Sequence, residues 1–222
     1  MPSNNLPLLS ICCLGYYHVD FLVDNLNSIS KIDYPNIEVI IVDDGSQDSS
    51  VELLKEIAPS YNYDIKILDQ ANTGNIGKNF NNAIRLAKGE LITFISLDDI
   101  FNHHTIKKEI ELIINNPTLA FVASSKAVSI NNDGLVDETK PDKLALVDIK
   151  NPTIDDLLEL EYSKFGAFYI QGVIFNKSII DHINGFDEDM TGDDIILRTK
   201  IFRYIKSNPI WKFNILEENN VF

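Results

Sequence analysis

Two adjacent aspartate pairs, Asp43-Asp44 and Asp98-Asp99, each close a short apolar run: Ile40-Ile41-Val42 before the first, Phe94-Ile95-Ser96-Leu97 before the second. Carboxylates this crowded repel one another unless a cation or a hydrogen-bonding ligand joins them. If both pairs face one crevice, the chemistry they suit is that of a divalent metal and a polyoxygenated substrate. The competing use of an aspartate at such a position is to cap a helix, and Asp33 and Asp48 are as well placed for that. A third acidic group lies in Gly185-Phe186-Asp187-Glu188-Asp189-Met190-Thr191-Gly192-Asp193-Asp194, where an apolar, helix-like run begins. The helix dipole favours acids there too, so capping and chemistry compete evenly at Asp193 and Asp194.

The runs ahead of the first two pairs have the composition of strands buried on both faces. Leu8 to Cys13 reads as a first strand ending at Gly15, Ile37 to Val42 as a second, Asp64 to Leu68 as a third and Leu91 to Ile95 as a fourth. Between them, apolar residues recur at helical spacing over Val19–Ile29, over Ser49–Ile57 and in a stretch after the polar loop 69–77 that closes near Gly89, a plausible C-cap. Ile106 to Ile114 follows as another helix, begun by His103-His104. This alternation predicts an α/β fold with a doubly wound, mostly parallel sheet flanked by helices. In such sheets ligands bind beyond the carboxyl ends of the strands, where both acidic pairs fall. The second half is less regular: a strand over Ala120–Ile130, a turn at Asn131-Asn132-Asp133-Gly134 and a surface excursion over 137–148. A short helix over Ile154–Leu160, a strand over Phe168–Phe175 and a helix over Lys177–Ile183 complete it. No linker or internal repeat divides the chain, and its high Asn and Ile content reads as compositional.

A length of 222 residues with 45% apolar content is enough for one large α/β domain with a substantial core. A formal charge of -14 argues against a nucleic-acid surface and disfavours electrostatic adhesion to an anionic membrane. It is compatible with a phosphorylated substrate only if a cation mediates. Cys12 and Cys13 are neighbours in the first strand, where side chains alternate between faces, so a disulfide is not expected and a reducing cytoplasm is. No run approaches the roughly 18 to 20 apolar residues of a membrane span, and no signal peptide is read at the N-terminus.

Several motifs are excluded by spacing. Gly74-Asn75-Ile76-Gly77-Lys78-Asn79 lacks the glycine gap and the Ser/Thr of a P-loop, and no Gly-x-Gly-x-x-Gly fingerprint occurs. Cys13-Leu14-Gly15-Tyr16 does not supply the acidic pair that a receiver domain needs after strand one. The four histidines, 18, 103, 104 and 182, are scattered, and nothing forms a Gly-x-Ser-x-Gly elbow.

Taken in order, the strand ending Val42-Asp43-Asp44-Gly45-Ser46, then Leu86-Ala87-Lys88-Gly89-Glu90-Leu91-Ile92, the strand end Ser96-Leu97-Asp98-Asp99, Gly185-Phe186-Asp187-Glu188 and Asp193-Asp194 resemble a family 2 glycosyltransferase with the GT-A fold. The resemblance runs from about residue 8 to about 205. It implies one glycosyltransferase domain over 1–222, with a nucleotide-binding half at about 8–115 and an acceptor-side half at about 116–222 that is truncated relative to the family. By position, Tyr16, Asp43 or Asp44, and Ser96 would contact the nucleotide, with Lys78 as a phosphate-facing cation. Asp98, with Asp99 beside it, would ligate Mn2+ or Mg2+. Asp194 would be the catalytic base with Asp193 as its orienting acid, and Gln171 and Gly172 would approach the sugar or acceptor.

The function implied is metal-dependent, inverting transfer from a nucleoside diphosphate sugar, a UDP-sugar favoured, to a saccharide or lipid-linked acceptor in bacterial surface polysaccharide or lipopolysaccharide synthesis. The setting implied is cytoplasmic, extending to the inner face of the membrane, and it allows peripheral membrane association and a homodimer. The chain departs from the family pattern at four places. Leu14-Gly15-Tyr16-Tyr17 replaces Pro-Thr-Tyr-Asn, Ser96 replaces the first aspartate of Asp-x-Asp, Phe80 stands near a missing arginine, and no Tyr-Arg-x-His ending follows. These departures keep a second reading open, a non-catalytic nucleotide-sugar-binding domain of a larger synthase. A nucleotidyltransferase is a weaker rival, because no Gly-rich basic loop follows strand one.

Overall fold

The apolar runs of the first half form β1 (Leu9–Gly15), β2 (Ile37–Asp43), β3 (Asp64–Asp69) and β4 (Leu91–Ser96), and α1 (Leu22–Ser30), α2 (Ser50–Ile57), α3 (Ile76–Leu86) and α4 (His103–Asn115) alternate with them. The computed structural model describes residues 6–130, 136–143, 146, 149–164, 166–189 and 193–222, with 136–143 and 193 as backbone alone. β1 pairs in parallel with both β2 and β4, and β2 with β3. Parallel strands joined by helical crossovers are covered on both faces, which is why β1, β2 and β4 are mostly apolar. Side chains divide by face: Cys12, Ile40, Val42 and Phe94 join the core beneath α3, while Cys13, Val39, Ile41 and Ile95 join that beneath α1, α2 and α4. The two cysteines therefore belong to opposite cores, and both are free thiols.

Beyond α4 come β5 (Leu119–Ile130), β6 (Val136–Lys143), α5 (Ile154–Ser163), β7 (Ile174–Asn176), α6 (Lys177–His182), α7 (Asp193–Ser207) and β8 (Lys212–Asn219). The strand order is β3-β2-β1-β4-β7-β5-β6, with β8 paired to β5. β7 is antiparallel to both β4 and β5, β6 is antiparallel to β5, and β8 is parallel to it. The doubly wound parallel sheet is thus the first half, and the second half continues it as a mixed sheet.

Four sequence expectations are corrected. The first helix starts at Leu22 rather than Val19, because Tyr17 takes a left-handed conformation (φ 58) and the Val19 amide donates to Asp48 Oδ2 at 3.1 Å. Phe168 to Phe175 is not one strand: only Ile174–Asn176 pairs regularly, after an isolated bridge from Gln171 to Phe94. The alternation there arises from Phe168, Ile170 and Val173 filling the core from irregular backbone. The excursion expected from 137 contains β6, a strand whose polar sequence Val-Asp-Glu-Thr-Lys-Pro-Asp-Lys conceals it. The turn at 131–134 lies outside the described residues. β8, a half-exposed strand interrupted by Asn214, Glu217 and Glu218, is not anticipated at all.

Gly89 is not a helix cap either. α3 ends at Leu86 with Ala87 as its C-cap. A Cβ on Gly89 would stand 2.4 Å from the Leu8 carbonyl oxygen and 2.7 Å from Ser10 Oγ. The Gly89 amide donates to Ser10 Oγ at 2.8 Å, and that hydroxyl donates to the buried Glu38 carboxylate at 2.7 Å. Glu38 also accepts from the Lys88 amide and from Lys66 Nζ, at 2.6 and 2.5 Å. The glycine is therefore required by close approach to β1. Gly89→Ala is expected to lower unfolding free energy by about 1–3 kcal/mol, the range for overpacking a filled site. Urea denaturation of the two proteins measures it.

Candidate active site

The pairing of β1 fixes the site. Gly15 is in register with Asp43 on one side, and Leu14 with Ser96 on the other. The two acidic pairs consequently leave the sheet at one level, on either side of the β1 end, where the strand order reverses. There the structure holds a cavity of about 860 Å³ lined by Tyr16, His18, Asp44, Ser96, Asp98, Asp99, Gln171 and Asp194, with Asn75, Asn79 and Phe80 from α3 and its cap.

The first pair is split by function. Asp43 is wholly buried and does not line the cavity. Its carboxylate accepts from the Gly45 and Ser46 amides at 3.1 and 2.7 Å and from Ser46 Oγ at 2.6 Å, which closes the turn after β2. Asp44 does line the cavity. It accepts from Gln70 Nε2 and the Thr73 amide at 3.1 and 2.8 Å, and from the Gly74 amide at 3.2 Å. Burial alone would raise its pKa, but these donors outweigh that and hold it below the usual aspartate range.

The second pair remains together. The Ser96 hydroxyl donates to Asp98 Oδ1, and Asp98 Oδ2 stands 3.8 Å from His18 Nε2. Asp99 is pushed up to about 6, first by burial and then by the charge of Asp98, against a lowering hydrogen bond from Gln171. Gln171 Oε1 also accepts from the Ser96 amide at 2.8 Å, so this side chain braces the acidic loop. Asp98, Asp99 and Gln171 also border a cleft of about 310 Å³ lined by Tyr169 and Phe222.

The third acidic group arrives through an amide clamp. Asn81 on α3 donates to the Phe186 carbonyl and accepts from the Phe186 amide, both at 2.9 Å. Asn75 Nδ2 donates to the Glu188 carbonyl at 2.6 Å. Phe186 stacks on Phe80 with ring centroids 5.0 Å apart, and both pack against Phe94 of β4. Gly-Phe-Asp-Glu is therefore an anchor that delivers the start of α7 to the cavity. Residues 190–192 and the Asp193 side chain lie outside the described residues. Asp194 lines the cavity, with Arg198 Nη1 at 3.4 Å from its Oδ2.

Of the residues singled out in the sequence, Tyr16, Asp44, Ser96, Asp98, Asp99, Gln171 and Asp194 share the cavity. Lys78 is exposed on α3 and does not line it, and Gly172 contributes a backbone bond to Phe94 rather than a cavity surface. His18, Asn79 and Arg198 escaped the sequence reading. His18 follows a loop of unusual composition, and nothing in the spacing of Asn79 or Arg198 shows which way each faces. Among the described residues no lysine or arginine lines the cavity, and no three acidic, imidazole or thiol groups already stand close enough to hold an ion. Two adjacent carboxylates, one with a raised pKa, nevertheless fit a hard cation of the magnesium type. Such an ion takes one or two carboxylates and completes its shell with substrate phosphates and water.

The open α/β sheet with an acidic cleft at its switch point has the architecture of the GT-A fold. The chain belongs to glycosyl transferase family 2, whose model matches residues 11–179. It is 27% identical over 208 residues to a poly-beta-1,6-N-acetyl-D-glucosamine synthase of Staphylococcus epidermidis, covering 90% of this chain and 48% of that one. An uncharacterised glycosyltransferase of Rickettsia bellii is 28% identical over 204 residues, 90% of this chain and 28% of its own length. The chain thus spans less than half of either relative. Among solved structures, Staphylococcus aureus TarS 1–349 in complex with UDP-GlcNAc superposes with a TM-score of 0.74 at 19% identity, covering 96% of this chain and 57% of that 1–349 chain. The mannosyltransferase PcManGT of Pyrobaculum calidifontis, in complex with GDP-Man and Mn2+, gives 0.68 at 16% identity, covering 97% and 56%. No helix among the described residues is long and apolar enough to cross a membrane.

Asp99 gives a pH-dependent expectation. Its folded-state pKa is raised, so the folded chain holds this proton more tightly than the unfolded chain does. The contribution to stability is then intact at low pH and is lost as pH rises from the ordinary aspartate value through about 6. In metal-free protein, Asp99→Asn should therefore stabilise by roughly 1–2 kcal/mol at about pH 7.5, and by less than half of that at about pH 4.5. Urea midpoints at the two pH values measure the difference.

Proposed function

We propose that residues 1–222 form a glycosyltransferase domain that moves a sugar from a nucleoside diphosphate sugar to an acceptor hydroxyl with inversion. The observation that carries this reading is a cavity of nucleotide-sugar size walled by Asp44, Asp98, Asp99 and Asp194, with no lysine or arginine on its described lining. A diphosphate enters such a wall only with a cation, and the carboxylates of Asp98 and Asp99 are the hard oxygen donors for Mn2+ or Mg2+. When bound, the cation supplies Lewis-acid neutralisation of the leaving diphosphate.

The chain's own residues do the rest. Asp44, fixed by the 70–74 loop, receives hydrogen bonds from the ribose or base, and Tyr16 offers the base an exposed aromatic face. Ser96 contributes a hydroxyl beside the diphosphate. Asp194 accepts the proton of the acceptor hydroxyl as its oxygen bonds to the anomeric carbon and the diphosphate departs from the opposite face. Asp193 is its orienting acid. Holding both substrates in one crevice supplies the proximity contribution. The cleft beyond Gln171, with Tyr169 on its wall, is the acceptor's approach. A UDP-sugar is favoured because TarS of similar fold binds UDP-GlcNAc, and the synthase relative favours bacterial surface polysaccharide as the product.

A second reading, a nucleotide-sugar-binding domain without transfer, rests on Ser96 standing where the family carries an aspartate. Incubation with a panel of nucleotide sugars and saccharide or lipid-linked acceptors separates them. Inverted product supports transfer, while binding with no turnover from any donor supports the second reading.

Two sets of substitutions follow. Calorimetry should show nucleoside diphosphate affinity falling by at least about tenfold when EDTA removes the cation, and Asp98→Ala should abolish that difference. Asp44→Ala should weaken the nucleotide at saturating metal instead, and parent-like nucleotide and metal binding in both variants would show that the strand ends do not share a ligand. Asp194→Asn should leave donor affinity within about threefold and cut turnover by roughly 10² to 10⁴, the range for loss of a general base. Asp193→Asn should cost less.

A further inference from the structure

Behind Asp194 lies a buried ion pair that the proposed reaction does not use. Glu161 in the last turn of α5 and Arg198, one turn along α7 from Asp194, have side chains 0% and 3% exposed. Arg198 Nε donates to Glu161 Oε1 at 2.8 Å and Nη2 to Oε2 at 3.1 Å, the two-pronged geometry in which guanidinium and carboxylate pair most strongly. The remaining nitrogen, Nη1, reaches Asp194 Oδ2 at 3.4 Å. Glu161 Oε1 also accepts from the Ala167 amide at 3.1 Å, and the guanidinium lies 5.9 Å from the Phe168 ring centroid. Gly166 lets the arginine through: its φ is +141, and a Cβ there would stand 2.5 Å from Nη2.

Three segments are thus shaped around one cation. A buried pair of this kind rarely stabilises a fold more than well-packed apolar residues of the same volume would, so stability does not account for it. An exposed aspartate and arginine four apart on a helix would also interact only weakly, because the arginine is free to leave. Here Glu161 prevents it from leaving. Glu161 also shares the guanidinium's charge, so that Asp194 pairs with a cation already partly neutralised.

We propose that Arg198, clamped by Glu161, is a positioning residue for Asp194. It ties one carboxylate oxygen back toward α7 and so sets how the group is turned toward the cavity. This rests on the reading that Asp194 takes the acceptor's proton. Arg198 touches no substrate; it acts through Asp194.

The test is a double-mutant cycle on the full chain, using the donor and acceptor that turn over fastest in the panel above. Arg198→Gln should lower kcat by about 10- to 100-fold with donor KM within about threefold, and Asp194→Asn/Arg198→Gln should be no slower than Asp194→Asn alone, since residues acting as a unit are not additive. If the lone Glu161 left by Arg198→Gln prevents folding, Glu161→Gln/Arg198→Gln removes both buried charges and takes its place in the cycle. Additive losses, a loss confined to KM, or full turnover in a folded variant would overturn the positioning role while leaving the base intact. Parent-like turnover in Asp194→Asn would instead remove the base, and the positioning role with it. Where the parent shows no turnover, the carboxylate carbon resonance of Asp194 in ¹³C-aspartate-labelled protein, identified by its loss in Asp194→Asn, serves at constant pH. It should move in Glu161→Gln/Arg198→Gln, and an unmoved resonance overturns the proposal.

Discussion

The parallel pairing of β1 with a strand on each side is the constraint on which the rest depends. Sequence neighbours cannot place Asp44 beside Asp98, since more than fifty positions separate them. Registering Gly15 with Asp43 and Leu14 with Ser96 does so, and α1, α2 and α4 then cover one face of these strands while α3, α5 and α7 cover the other. A one-residue slip on either side would turn every buried side chain of that strand to the wrong face. The register is therefore enforced by the whole core, and the site inherits its precision from packing rather than from its own weak polar contacts.

What the core brings together, electrostatics then has to tolerate. Each cavity carboxylate is compensated differently. Asp44 has two backbone amides and a glutamine, and Asp194 has a guanidinium whose charge is shared with Glu161. Asp98 has a serine hydroxyl and a histidine at 3.8 Å, and Asp99 has chiefly Gln171. The least compensated negative charge is therefore at Asp98 and Asp99. That is where a cation would gain most, and a polyanionic ligand would follow it.

Much of this was legible in the sequence because it depended on local pattern. The buried parallel strands are mostly apolar and the helices carry a regular stripe, so the first half could be read element by element. The second half could not. β7 has only three residues, β6 and β8 are polar, and Phe168 to Val173 fill the core from irregular backbone, so their periodicity carries no element. At the site the aspartate pairs announced themselves, yet their division of labour did not. Asp43 and Asp44 are chemically identical neighbours, and only the turn geometry shows that one closes the loop while the other reaches the cavity. Lys78 stays off the cavity lining for a similar reason: its backbone amide is capped by Asn75, and its side chain is exposed on α3. Glu161 and Arg198 meet only through the packing of α5 on α7, which no spacing reveals.

The abundance of asparagine, which looks merely compositional in the sequence, acquires a reason in the fold. Asn25 donates to the carbonyls of Ser96 and Asp99 at 3.1 and 2.7 Å, steadying the second acidic loop from α1. Asn79 joins Gln70 and Thr73 behind Asp44, while Asn75 and Asn81 hold the segment that leads to α7. An amide offers a donor and an acceptor together and adds no charge. A lysine or arginine in any of these places could brace the same loops, but it would pair with the carboxylates and compete with a bound cation. Fixing an acidic cleft with neutral amides keeps it both rigid and negative. Among the described residues Arg198 is the one lysine or arginine paired with a cavity carboxylate, and it comes with a buried glutamate that shares its charge.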